Sequence, residues 1–112
     1  MESLPERNDI PQGTLDMLVL RTLTLGRLHG YAIAQHIEHT SGDVLRVEQG
    51  SLYPALERLQ NHGWVTSKWG VSPTGRRARY YTITASGRAR LGERVAGYQR
   101  VAGAIARILA QG

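Results

Sequence analysis

Cysteine is missing from all 112 residues, which excludes disulfides, thiolate metal sites and cysteine catalysis. Also missing is any apolar run near the roughly 18 residues that a membrane span needs. The first ten residues lack the apolar stretch of a signal peptide, so a soluble cytoplasmic protein with no membrane partner is expected. No glycine-rich phosphate loop is present, because the 13 glycines fall mostly at predicted turns and helix ends. The four histidines are scattered: His36 and His39 share a helix end without a third ligand, and His29 and His62 sit at helix boundaries. Spacing therefore offers no metal site. Neither a cofactor nor an enzymatic activity is expected.

Acidic residues run out halfway along the chain. Residues 1–67 hold five Arg against eight Asp/Glu, a balance of −3. Residues 68–112 hold Lys68 and eight Arg against Glu93 alone, a balance of +8. That asymmetry points to an acidic partner, either nucleic acid or an anionic surface. The plainer alternative is that arginine only keeps the chain soluble.

What is present is a succession of helical patterns. After a polar start and Pro11, Leu15, Leu18, Val19, Thr22 and Leu23 recur on one helical face. Asp16 is read as a first-turn carboxylate that complements the helix dipole, with Gly26 as the stop. His29-Gly30 opens a second helix from about Tyr31 to Glu38, carrying Ile33, Ala34 and Ile37 on one side. Thr40-Ser41-Gly42-Asp43 ends it as a turn, and Val44, Leu45 and Val47 form a short β-capable stretch. A third helix is expected from Ser51, whose hydroxyl can cap the first turn, with Pro54 inside that turn. Leu52, Ala55, Leu56 and Leu59 point to the core, and Tyr53, Glu57, Arg58 and Asn61 point away. Gly63 suits a left-handed C-terminal cap.

Two strands follow, Trp64 to Val71 and Arg79 to Thr84, joined by the turn Ser72-Pro73-Thr74-Gly75. Arg76, Arg77 and Arg79 beside the turn give the hairpin a basic tip. Thr84 then caps a helix to about Ala110. Leu91, Val95, Tyr98, Ala102, Ile105 and Leu109 recur along it at intervals of four and three, the apolar seam of a helix pair, widened by Val101 and Ile108. Gly92, Gly97 and Gly103 each weaken that helix by roughly 0.5–1 kcal/mol relative to Ala, so it needs a partner.

The fold expected is mainly α with a small two-stranded antiparallel hairpin: a winged helix-turn-helix followed by a C-terminal dimerisation helix. The division is a flexible N-terminus over 1–10, a DNA-binding domain over 11–84 and the dimerisation helix over 85–112. In such an architecture the third helix enters the major groove of double-stranded DNA with its N-terminus first. Gln49, Ser51, Tyr53, Pro54, Glu57 and Arg58 are then its groove-facing positions, and the wing arginines grip the backbone. Alternatives stay open: Ser51 only a cap, Tyr53 packed on the domain, Arg58 paired with a nearby acid, and the seam docked on its own domain. Trp64 and Trp69 are candidates either for hairpin packing or for lining a site for a small aromatic effector.

Four segments together resemble the PadR-like family. They are Gly13-Thr14-Leu15-Asp16-Met17-Leu18, Leu28-His29-Gly30-Tyr31-Ala32-Ile33, Gly50-Ser51-Leu52-Tyr53-Pro54-Ala55-Leu56 with Arg58-Leu59, and Gly75 to Thr84 with Gly87-Arg88. The similarity spans about residues 12–91. It implies a repressor that binds (pseudo)palindromic operators as a homodimer through its last helix, often helped by the first. Ser51, Tyr53 and Pro54 carry over as recognition-helix contacts, and Arg76 to Arg79 as the wing. Ala85-Ser86 depart from the acidic residues that the family often has there, which weakens the expected cap. A single C-terminal helix resembles the short subfamily. Rival expectations are a winged helix used for protein contacts, or a ligand-responsive regulator of another winged-helix family.

Overall fold

The structure, a computed structural model, describes residues 8–111. The expectation for the N-terminus falls outside the described residues over positions 1–7. Along the chain the elements are β1 (Asn8–Asp9), α1 (Gln12–Leu23), β2 (Leu28–His29), α2 (Gly30–Thr40), β3 (Leu45–Arg46), α3 (Gln49–Asn61), β4 (Val65–Val71), β5 (Arg77–Ile83) and α4 (Ala85–Ala110). β1 pairs in parallel with β3, and Ile10 packs against the core. The polar opening sequence carried no sign of that strand.

α1 is the centre of the fold. Pro11 holds an extended backbone, and its carbonyl accepts from the amides of Thr14 and Leu15 at 3.0 Å each. Leu15, Met17, Val19, Leu20, Thr22 and Leu23 are all buried. The expected stripe is wider than one face because α1 packs against α2, α3, α4 and β5. Burying each of these large aliphatic side chains contributes about 1.5–3 kcal/mol. Thr22 is tolerated there because its hydroxyl donates to the Leu18 carbonyl at 2.8 Å. Asp16 is not in the first turn, which carries no acid. It lies in the second turn and faces α3.

α2 begins on His29, whose Nδ1 accepts from the Ala32 amide at 3.2 Å, and it buries Ile33 and Ile37. α3 starts two residues earlier than expected. Its N-cap is Glu48, with no side-chain cap bond, so Ser51 is not the cap and Pro54 belongs to the second turn rather than the first. The Glu48 backbone carbonyl instead takes the amides of Ser51 and Leu52. Leu52, Ala55, Leu56 and Leu59 are buried as expected. At the other end Gly63 has φ +76°. Its amide bonds the Gln60 carbonyl and that of Trp64 bonds Leu59, the paired closure that needs a left-handed residue between them.

The hairpin is part of a three-stranded sheet in the order β2-β5-β4, because Leu28 and His29 pair with Tyr81 and Tyr80. Residues alternate across a strand. Val65 on β4 and Tyr81 and Ile83 on β5 therefore turn to the core. Trp69, Arg77 and Arg79 continue the same face beyond it. Gly75, at φ +83°, closes the turn through its amide to the Ser72 carbonyl.

Thr84 caps α4 by accepting from the Gly87 amide at 3.0 Å and donating to the Gly63 carbonyl at 2.7 Å. The cap is complete despite Ala85-Ser86, and Ser86 also donates to Gly63. The 26 residues of α4 span about 39 Å at 1.5 Å per residue. Only its first half joins the core, through buried Gly87 and Leu91 and half-buried Val95. Arg94 then donates to the Gly13 carbonyl of α1 at 2.7 Å.

Candidate nucleic-acid interface

The N-terminal half of α3 and the wing bound one concave face. A groove of about 1020 Å³ runs between them, lined by Tyr31 and Gln35 of α2, Tyr53 of α3, and Trp69, Arg76, Arg77 and Arg79 of the wing. Among the described residues no carboxylate lines it. The face therefore combines three guanidiniums with aromatic and amide groups, with no counter-charge among the described residues that line it, which suits phosphate.

Tyr53 is 47% exposed. Its ring lies against Gly30 so closely that a Cβ there would stand 2.8–3.0 Å from the ring and its hydroxyl. The backbone of α2 thus sets the tilt of this side chain, which packs on one side and opens to the groove on the other. Burial pushes the neighbouring Tyr81 hydroxyl above its ordinary pKa, against the opposing effect of the Arg79 charge, with Tyr53 adding to the rise. Tyr81 remains protonated at neutral pH and can donate.

Gln49, Ser51, Pro54 and Glu57 are exposed along the first turns of α3. Ser51 does not line the groove. It borders a smaller cleft of about 140 Å³ beside Arg46, Val47 and Glu48. Arg58 has a different task. Its Nη2 lies 2.8 Å from Asp16 Oδ1 and its Nε 3.5 Å from Oδ2, a two-pronged pair that ties α3 to α1. Of the alternatives open in the sequence, local pairing is the one this geometry realises.

At the wing, Arg77 lies over Trp69 at 4.7 Å. Arg79 donates to Ser67 Oγ at 2.8 Å, and Arg76 is exposed at the turn. Trp64 sits at the other end of β4, stacked on His62 at 4.3 Å and covered by Arg90 at 4.9 Å. Trp69 lines the groove, and Trp64 is not among the residues that line it. Tyr31 and Gln35, hydrogen-bonded at 3.0 Å, are groove residues that sequence reasoning missed. Their signal was polar i, i+4 spacing on the side of α2 opposite Ile33 and Ile37.

In the seam, Leu91 is buried and Val95 half-buried against their own core. Tyr98 is 55% exposed, Ile105 50% and Leu109 78%, and Ala102 is intermediate. A cleft of about 360 Å³ runs beside this face, between Thr14 and Met17 of α1 and a side of α4 that runs from Arg90 through Glu93, Arg94, Gly97 and Tyr98 to Val101. No group of three or more His, Asp or Glu able to hold a metal occurs among the described residues, nor does any helix long and apolar enough to cross a membrane.

Three helices, a small sheet with a basic wing and an exposed helix entry define a winged helix-turn-helix protein. The chain belongs to the PadR-like family of transcriptional regulators, whose family model matches residues 19–93. It is 32% identical over 89 residues to an uncharacterised protein of Lysinibacillus sphaericus, covering 80% of this chain and 82% of that one. It is 29% identical over 77 residues to the negative transcriptional regulator PadR of Bacillus subtilis, a match that takes in 69% of this chain and 42% of the relative. Among solved structures, a transcriptional regulator from Clostridium thermocellum superposes with a TM-score of 0.78 at 26% identity, covering 85% of this chain and 92% of that one. A PadR family regulator from Eggerthella lenta superposes at 0.75 with 28% identity, covering 89% and 85%. This is a family of DNA-binding regulators rather than enzymes.

Proposed function

We propose that the protein represses transcription as a homodimer bound to a (pseudo)palindromic operator. The observation that carries this reading is the groove in which Tyr53 and the three wing arginines line one face, with no carboxylate among its described lining residues. Gln49, Ser51, Tyr53 and Pro54 enter the major groove. Arg76, Arg77 and Arg79 hold the phosphates beside it. Arg58 is left out, because its guanidinium is committed to Asp16. Residues 11–84 form the reading unit and 85–112 the pairing helix.

Pairing is supported by the second half of α4. Val101 is 60% exposed, Ile108 69% and Leu109 78%, together with Tyr98 and Ile105. A run of large apolar side chains of that length calls for cover, and the cleft beside α1 supplies a seat for a second copy. Repression, rather than activation, is supported by the name of the Bacillus subtilis relative.

The test is selection of bound sequences from random duplex DNA. The expected outcome is an inverted repeat whose half-site centres lie about 34–36 Å apart or a multiple of it. An enriched single half-site without symmetry overturns the dimer, and no enrichment overturns sequence-specific reading.

A further inference from the structure

Trp69 is an indole left 56% exposed on the wing, so burial supplies little of its usual contribution. Its neighbours are cations. The guanidinium of Arg77 lies 4.7 Å from the ring centroid and that of Arg79 5.6 Å. Strand register produces this, because Trp69 stands directly across from Arg79 and Val71 across from Arg77. All four side chains share one face of the hairpin, and the Trp69–Arg77 pair is the diagonal neighbour. Arg79 carries a second restraint. Its Nε donates to Ser67 Oγ at 2.8 Å, and Ser67 donates in turn to Gln60 Oε1 of α3 at 2.8 Å. Among the described residues neither guanidinium has a carboxylate partner.

A long arginine on an exposed strand otherwise samples many rotamers, and ordering it on binding lowers affinity. A guanidinium lying over a ring is held there by the ring quadrupole while its N–H edge stays available to a phosphate. We propose that Trp69 is a positioning residue of the DNA interface. It pre-orders Arg77 and Arg79 for the phosphate backbone, and the Ser67–Gln60 relay ties Arg79 to the recognition helix. The inference rests on the wing reading above and adds a residue that touches no phosphate itself.

The experiment is a salt series of binding to a mixed-sequence duplex. Trp69→Ala is expected to weaken binding roughly three- to tenfold at every salt concentration, the ordering loss of one or two such side chains. The slope of log K against log[salt] should stay unchanged, because both charges remain. Trp69→Tyr keeps a π-face and should restore most of the affinity. Arg77→Ala should instead reduce the slope by about 0.9 per protomer, about 1.8 for the dimer. Ser67→Ala should behave like Trp69→Ala and add nothing to Arg79→Ala.

A second readout needs no change at the wing. In a Trp64→Phe background Trp69 is the single tryptophan left, and its emission should shift as duplex saturates the protein. Unchanged affinity in Trp69→Ala, a slope loss equal to that of Arg77→Ala, or a Trp69 emission indifferent to duplex each overturns the positioning role. An Arg77→Ala slope equal to that of the unaltered protein overturns the wing reading itself and takes the proposal with it.

Discussion

Gly87 sits where the wing hands over to the last helix, and replacing it by alanine tests the packing argument most sharply. It is the third residue of α4 and is buried. A Cβ there would fall inside the van der Waals sphere of the Trp64 carbonyl oxygen and 2.9 Å from Ile83 Cγ1. The carbonyl cannot swing aside cheaply, because it accepts the Thr84 amide at 3.0 Å. The first turn of α4 must therefore move off β4, straining the cap from Thr84 to the Gly87 amide. Overpacking of this kind costs about 1–3 kcal/mol, and a weakened cap adds up to about 1. The gain in helix propensity returns about 1. Gly87→Ala should thus destabilise by about 1.5 kcal/mol at the centre of these ranges and by up to about 3, a fall in Tm of roughly 6–20 °C for a domain near this size. Gly92 is the internal control, since a Cβ there meets nothing within 4 Å. Gly92→Ala should stabilise by about 0.5–1 kcal/mol. Thermal unfolding followed by circular dichroism, at equal protomer concentration because association shifts Tm, reads both. A Gly87→Ala protein that melts at or above the unaltered one refutes the reasoning.

Three further outcomes are expected. Arg58→Met should lower stability by about 1 kcal/mol, the scale of a partly exposed pair, and leave the salt slope of DNA binding alone; a slope loss near 0.9 per protomer, about 1.8 for the dimer, would return Arg58 to the interface. Tyr98→Ser, Ile105→Ser and Leu109→Ser combined should give a protomer-sized particle by light scattering with its fold intact, since each is at least half exposed; a persisting dimer would move the contact elsewhere. Tyr81 holds its proton more tightly when folded, so its contribution to stability is fully present below pH about 10 and is lost as pH rises through the raised folded value; Tyr81→Phe should flatten that loss in denaturant titrations run above pH 10, and an identical decline would refute it.

Local chemistry was the most legible part of the sequence. Gly63, Gly75 and Thr84 each do what their residue type dictates, because a left-handed φ or a free helix amide is a property of a few neighbours. Boundaries that depend on backbone carbonyls were not legible. Ser51 has the side chain of a cap, yet the helix starts on Glu48, whose carbonyl takes the first amides without help from a side chain. Asp16 and Arg58 lie 42 residues apart, and no periodicity links them. The same holds for Gly30 under Tyr53 and for β2 on β5, contacts created when α1 gathers the other elements around itself. Seam spacing on α4 was visible, but spacing alone could not divide it. Leu91 and Val95 serve their own core, and the exposed residues follow from Tyr98 onward.

The charge asymmetry that first pointed to an acidic partner also needs dividing, and the division can be measured. Of the arginines in the basic half, Arg90 covers Trp64 and stands 3.8 Å from Glu93, and Arg94 is turned to the Gly13 carbonyl. Lys68 occupies the sheet face opposite Trp69, at an odd register step from it. The cations gathered on the groove are Arg76, Arg77 and Arg79. If each meets one phosphate, two protomers should give a slope of log K against log[salt] of about −5. If instead the whole +8 balance of each basic half were engaged, the slope would approach about −14. A value near the first places affinity on the wing and leaves the remaining arginines to packing and solubility. A value near the second would mean that DNA reaches along α4, and the groove would then be only one part of the binding face.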